Sequence, residues 1–206
     1  MSGGKKNKDL SDDLAKLHDY SIYLPTRTIY MGSEEHHIEH GESGTDGAMA
    51  ERTIKNLHVL DITNEPIHII MNNLGGDEYA CFAIIDAIKR CQSHVTVTAF
   101  GHAMSAGSLI LQAADERIMA PLAVQMIHYG TWGCVDHSLT FKKWSNENDR
   151  INKWMENYYL EKIREAQPKF TLNKLKSMLD HDTFLTAEES LELGLCDSIL
   201  DYSKKG

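Results

Sequence analysis

The stretch from Val95 to Ala114 narrows the folds open to this chain more than any other. Val95-Thr96-Val97-Thr98-Ala99-Phe100 is a β-branched and aromatic run that reads as a buried strand. Ser108 to Ala114 reads as the first buried turns of a helix. Between them, in Gly101-His102-Ala103-Met104-Ser105-Ala106-Gly107, small residues surround one serine. Small side chains let a helix fold back closely on a sheet, and a serine at such a corner holds its hydroxyl out of the sheet. Backbone N–H groups that open the helix lie beside it, as a nucleophile with a built-in oxyanion site requires. Alone, Ala103-x-Ser105-x-Gly107 fits tight packing equally well.

Elsewhere strands and helices alternate. Tyr30-Met31-Gly32 ends a first strand, and Ala48 to Leu60 reads as a helix with Ala50, Ile54 and Leu57 inward. Ile67 to Asn72 reads as a buried strand, and Asn73-Leu74-Gly75-Gly76 as a turn. Asp77 to Cys91 follows as a helix with Ala80, Ile84, Ala87 and Ile88 on one face. Arg117 to Ala120 and Val124 to Ile127 are short strands. The alternation predicts an α/β fold, a mostly parallel sheet covered by helices.

Two later segments add chemistry. Val124-Gln125-Met126-Ile127-His128 is a short apolar run that ends in a histidine. Asp180-His181-Asp182-Thr183-Phe184-Leu185-Thr186-Ala187-Glu188-Glu189 supplies carboxylates just ahead of a helix start, where Thr186 and Glu189 form a capping box and Gly194 marks the end. A serine hydroxyl needs a base within hydrogen-bond reach, and the base needs an acceptor to fix its tautomer. The order Ser, His, Asp argues against the α/β-hydrolase, chymotrypsin and subtilisin folds.

These blocks resemble the proteolytic subunit of the Clp protease (ClpP) family, whose members show Gly-x-Ala-x-Ser-x-Gly, Met-Ile-His and Arg-Asp-x-Phe-[Leu/Met]-Ser-Ala-x-Glu-Ala in this order. Here they stand as Gly101 to Gly107, Met126 to His128 and His181 to Ser190, and Leu193 to Leu200 resembles the family's ending. The resemblance spans roughly residues 19 to 200. It implies a ClpP/crotonase-like superfold with a protruding handle helix, and a serine endopeptidase. Ser105 would be the nucleophile, His128 the base and Asp182 the orienting carboxylate, with Asp180 as rival; Phe184 and Thr186-Ala187 favour Asp182. The family's Ser-Pro-Gly-Gly turn stands here as Asn73-Leu74-Gly75-Gly76, so the N–H groups of Gly76 and Ala106 would form the oxyanion hole. The backbone flanking Gly76 and Tyr129 would pair with an extended peptide. The resemblance also implies stacked homo-oligomeric rings, heptameric, that enclose the sites in a chamber and take peptides or unfolded proteins. Two other readings stay open: a crotonase-fold acyl-CoA enzyme, and a non-catalytic ring subunit.

The chain departs from the family in three places. After His128 the family's His-Gln-Pro is replaced by Tyr129-Gly130-Thr131-Trp132-Gly133, within a handle region of about 129–167. Ile151, Trp154, Met155 and Tyr158 then repeat at helical spacing up to Pro168, and because the family builds its ring-to-ring contact here this stripe is expected to face a partner. Residues 33–47 are an insertion whose His36, His37 and His40 invite a metal reading, but its polar, glycine-interrupted composition fits a solvated loop. Residues 1–18 match nothing in the family's axial loops and read as a mobile tail, ahead of a single peptidase domain over 19–202.

Composition narrows the partners. With 21 Lys and Arg against 30 Asp and Glu, the net charge of −9 disfavours a nucleic-acid surface. No apolar run approaches the roughly 18 residues of a membrane helix, and no signal-peptide core precedes the first domain. Cys81, Cys91, Cys134 and Cys196 show no paired spacing, so no bridge or ligand set is expected and a cytoplasmic site is the simplest. No Gly-x-x-x-x-Gly-Lys run is present, so no cofactor is expected in this chain and ATP would enter only through an unfoldase partner.

Overall fold

The computed structural model describes residues 3–32, 44–133 and 135–204. The elements are α1 (Gly3–Tyr20), β1 (Ile22–Tyr23), β2 (Thr28–Gly32), α2 (Gly47–Leu60), β3 (Ile67–Asn73), α3 (Glu78–Arg90), β4 (Val95–Met104), α4 (Ala106–Leu111), β5 (Glu116–Met119), β6 (Val124–Ile127), α5 (Ser138–Ala166), α6 (Leu172–Leu179), β7 (Thr183–Leu185), α7 (Ala187–Leu193) and β8 (Ser198–Ile199). Pairing runs β1-β2-β3-β4-β5-β8, and β6 pairs with β4 and β7. All pairs are parallel except β1–β2 and β6–β7.

Period-two burial builds the sheet. Ile67, Ile69 and Met71 of β3 and Val95, Val97 and Ala99 of β4 are buried on one face. Ala80, Ile84 and Ile88 of α3 and Ala50 and Leu57 of α2 join the same core. Asp46 and Asp77 cap α2 and α3 by accepting from Met49 N and Ala80 N, each at 2.8 Å.

The bend in β4 positions the site. Its first half pairs with β5 and its last residues pair with β6. Against β3 its register jumps from Met71↔Ala99 to Asn73↔Ala103, so β4 carries two extra residues there. Gly101 takes φ +64° in this bulge, and a Cβ on it would come within 2.8 Å of Asn72 Oδ1. Sequence periodicity ends the strand at Phe100, whereas past the bulge the ladder resumes and runs to Met104.

Residues 3–20, read from the sequence as a tail, take the form of helix α1, and Ser21 N closes its end on Leu17 O at 3.0 Å. Two other expectations differ from the structure. The helix after Ser105 begins at Ala106 and is over by Leu111, earlier than the Ser108–Ala114 reading. The α5 stripe is covered by its own domain: Ile151, Met155 and Tyr158 are buried, and Trp154 stacks on Tyr158 at 4.8 Å and meets Phe82 edge-on at 4.6 Å. Periodicity marks an apolar face but not what covers it. The histidines His36, His37 and His40 lie outside the described residues, as does Cys134. Cys81, Cys91 and Cys196 are free thiols. Among the described residues no helix is long and apolar enough to cross a membrane.

Candidate active site

Two strand registers bring the predicted residues together. The parallel pair Met104↔Met126 sets the end of β4 beside the end of β6, so Ser105 and His128 emerge at the same rim. The antiparallel pair Ile127↔Thr183 places the next residues outward, His128 and Asp182, opposite each other. Sequence reading puts Asp182 just ahead of a helix; a three-residue strand intervenes, and its pairing is what aims the carboxylate.

Ser105 sits between β4 and α4 with φ +52° and ψ −120°, a conformation rare for a residue with a Cβ. The corner survives because its backbone is tied on both sides: its N–H bonds into β6, and its carbonyl accepts from Ser108 N at 2.9 Å and Leu109 N at 3.2 Å. The Oγ lies 2.8 Å from His128 Nε2. On the other side of the ring, His128 Nδ1 lies 2.8 Å from Asp182 Oδ1. An ionised carboxylate only accepts, so Nδ1 carries the proton of the neutral imidazole and Nε2 presents its lone pair to the serine hydroxyl. The His128 side chain is 19% exposed and that of Asp182 is 59% exposed, so the pair sits at an open rim. Asp180 ends α6, its N–H on Lys176 O at 2.9 Å, and takes no part in this chain of bonds.

The glycine turn lies against the same serine. Gly75 has φ +103° and Gly76 φ +142°; a Cβ on Gly75 would stand 2.5 Å from Ser105 Cβ. Only glycine fits there. Ala106 follows Ser105 as the first residue of α4 and is buried. Part of the backbone flanking Gly76 and Tyr129, expected to pair with an extended peptide, is already paired within the chain. Gly75 O accepts from Thr45 N, Asp77 N donates to Thr45 O, and Tyr129 N donates to Leu179 O.

Side-chain contacts that sequence reasoning did not anticipate hold these parts in place. Tyr129, next to His128, donates to Glu156 of α5 at 2.6 Å, and Lys176 of α6 reaches the same carboxylate at 3.3 Å. Burial and that hydrogen bond push the Tyr129 phenol well above its ordinary value. Ser108 Oγ accepts from Gln125 Nε2 at 2.8 Å and Tyr159 OH at 2.9 Å, which joins α4, β6 and α5 inside the core. No spacing rule signals such contacts.

Comparison with known proteins gives one direction. The Clp protease family's sequence profile matches residues 27–203. The chain is 27% identical over 190 residues to the ATP-dependent Clp protease proteolytic subunit of Deinococcus radiodurans, covering 90% of this chain and 86% of that protein. It is 31% identical over 185 residues to the chloroplastic proteolytic subunit 6 of Arabidopsis thaliana, covering 88% and 63%. With proteolytic subunit 2 of Pseudomonas aeruginosa the identity is 28% over 189 residues, covering 90% and 86%. Among solved structures, a variant of ClpP1 from Listeria monocytogenes superposes with a TM-score of 0.71 at 26% identity, covering 86% of this chain and 93% of that one. The chain belongs to the Clp protease family.

Proposed function

We propose that this chain is a serine endopeptidase that hydrolyses peptide bonds through Ser105, His128 and Asp182. The observation that carries the reading is the unbroken run from Asp182 Oδ1 through the His128 ring to Ser105 Oγ, with both bonds at 2.8 Å, ending on a serine held at a strained corner. His128 Nε2 takes the hydroxyl proton as Oγ attacks the carbonyl carbon, and Asp182 stabilises the imidazolium that forms. The carbonyl oxygen becomes an oxyanion that the N–H groups of Gly76 and Ala106 receive. His128 then gives its proton to the amide nitrogen, the C–N bond breaks and the amine leaves. Water repeats the sequence on the acyl-enzyme and frees Ser105.

The chain works as a stacked, heptameric assembly in the cytoplasm that encloses these sites and admits peptides or unfolded segments, with any ATP-driven unfolding supplied by a separate partner. Support for assembly comes from the exposed apolar side chains Leu139, Phe141 and Trp144 at the start of α5. The fold needs no cofactor for the chemistry described.

The test is intact-mass measurement after treatment of the assembled protein with a fluorophosphonate, with Ser105→Ala and His128→Ala alongside. One adduct per chain on the parent and none on either variant is the expected result. An assembled parent that stays unlabelled would overturn the peptidase reading in favour of a ring subunit without catalysis or an acyl-CoA enzyme.

A further inference from the structure

The Gly75–Gly76 peptide is gripped from the side opposite Ser105. Strand β2 pairs with the strand before this turn up to Gly32↔Asn72, and Thr45 forms an isolated parallel bridge with Gly76 just beyond it. Thr45 N donates to Gly75 O at 2.5 Å, and Asp77 N donates to Thr45 O at 2.7 Å. The side chains repeat the link: Thr45 Oγ1 and the Asn73 amide meet at 3.0 and 3.1 Å, and Gly75 N donates to Asn73 Oδ1 at 2.8 Å. Thr45 is 2% exposed and Asn73 is fully buried. The approach is so close that a Cβ on Gly44 would stand 1.7 Å from Gly75 O, and one on Gly76 would stand 2.3 Å from Thr45 O.

A peptide unit is planar and trans, so its C=O and N–H point in opposite directions. With Gly75 O drawn toward Thr45, Gly76 N–H points away from Thr45, to the side on which Ser105 lies. Two consecutive glycines impose little barrier to rotating that peptide plane, and a half-turn would put a carbonyl where the donor belongs. We propose that Thr45, braced by Asn73, is a positioning residue that locks the Gly75–Gly76 peptide with its N–H directed at the oxyanion. The proposal rests on the peptidase reading. The caps on either side strengthen it, since Asp46 and Asp77 fix the residues next to Thr45 and Gly76 to the ends of α2 and α3.

The experiment is steady-state kinetics on a fluorogenic peptide, with inhibition by a matched peptide boronate, for Thr45→Val, Thr45→Ser and Thr45→Pro. Thr45→Pro deletes the N–H that holds Gly75 O and should lower kcat about 10²-fold, the effect of losing one oxyanion donor. Thr45→Val, which keeps the backbone bonds and guards against a proline variant that fails to fold, should lower kcat about tenfold, with Thr45→Ser restoring it. KM should stay within about twofold while boronate affinity falls in step with kcat, because the boronate adduct carries the oxyanion and the substrate does not. An active parent with Thr45→Val at the parental kcat, or a loss confined to KM, overturns the lock. A parent that neither turns over nor accepts a fluorophosphonate overturns the peptidase reading instead. The lock is then judged by crystallography of the parent and Thr45→Pro, where a carbonyl of Gly75 turned away from Thr45 in the parent overturns it and a flip in the variant alone upholds it.

Discussion

The backbone N–H of Ser105 donates to the carbonyl oxygen of Met126 at 2.8 Å. That bond stitches the strained corner to the strand whose next residues end in His128, so the spacing of hydroxyl and imidazole follows from β4–β6 register. A slip of one residue would turn every side chain of β6 to the other face and remove His128 from reach.

The β6–β7 register separates the two candidate carboxylates. Asp182→Ala should lower kcat about 10³–10⁴-fold, as loss of the orienting carboxylate does in serine proteases, with KM little changed. Asp180→Ala, at the end of α6, should leave kcat essentially unchanged. Peptide hydrolysis by the two variants decides between them; equal losses would show that the pairing of Ile127 with Thr183 is not what aligns His128.

The Ser108 hydroxyl is a buried junction for two donors. Burial pushes the Tyr159 phenol far up its scale, so it stays protonated and donates. Tyr159→Phe removes one donor and its partner's bond together and should cost about 1 kcal/mol, whereas Ser108→Ala strands both Tyr159 OH and Gln125 Nε2 and should cost about 2–5 kcal/mol. In a chain of this size each kcal/mol moves Tm by about 2–4 °C. Combining Ser108→Ala with Tyr159→Phe should be less damaging than the sum, because the second change removes a group the first had orphaned. Additive losses in thermal melts would show that the three side chains do not act as a unit.

The parts of the site read from the sequence were those written in contiguous blocks. Ser105, His128, Asp182 and the two glycines each sit in a short run whose local chemistry is visible, and the structure brings them to one rim. What periodicity left open was contact between distant segments. Strand β7, with three residues, is too short to show an alternation. The Thr45–Gly76 bridge is an isolated pairing, and nothing in either residue's neighbours advertises it. The α5 stripe was visible as a stripe, but Phe82 on α3 decides that Trp154 is covered from within.

Arg117 links β5 to the turn after α7. Its guanidinium donates to Gln112 Oε1 at 2.7 Å, to Gly194 O at 2.8 Å and to both Asp197 oxygens, one of them at 3.0 Å. Burial works to raise the pKa of Asp197, but the hydrogen bonds and charge of Arg117 outweigh it and hold it below the ordinary 3.8. The unfolded chain therefore binds this proton more readily than the native one, and the stability from the pair is present above pH 3.8 and lost as pH falls through the lower native value. Arg117→Met should cost about 1–3 kcal/mol at neutral pH by leaving the Gln112 and Gly194 carbonyl oxygens without their donor, while the half-exposed Asp197 keeps the backbone N–H of residue 117. Asp197→Asn should lower the urea midpoint at pH 7, and its gap from the parent should narrow below pH 3.8. A gap independent of pH would show that the charge of Asp197 contributes nothing.

The start of α5 makes the last prediction. Ile151, Met155 and Tyr158 are spent on the chain's own core, whereas Leu139 is 77% exposed, Phe141 44% and Trp144 46%, with Trp132 packed on Phe141 at 5.6 Å. Exposed apolar side chains clustered at the start of a helix lose contact with water only by meeting another surface, each buried one contributing about 1.5–3 kcal/mol. Replacing Leu139 and Trp144 together by Asp should therefore separate the proposed stacked rings while leaving Tm of the single chain nearly unchanged, since neither side chain belongs to the buried core. Sedimentation velocity reads the outcome: a species of half the parental mass or less supports the contact, and an unchanged mass moves the assembly surface elsewhere on the molecule.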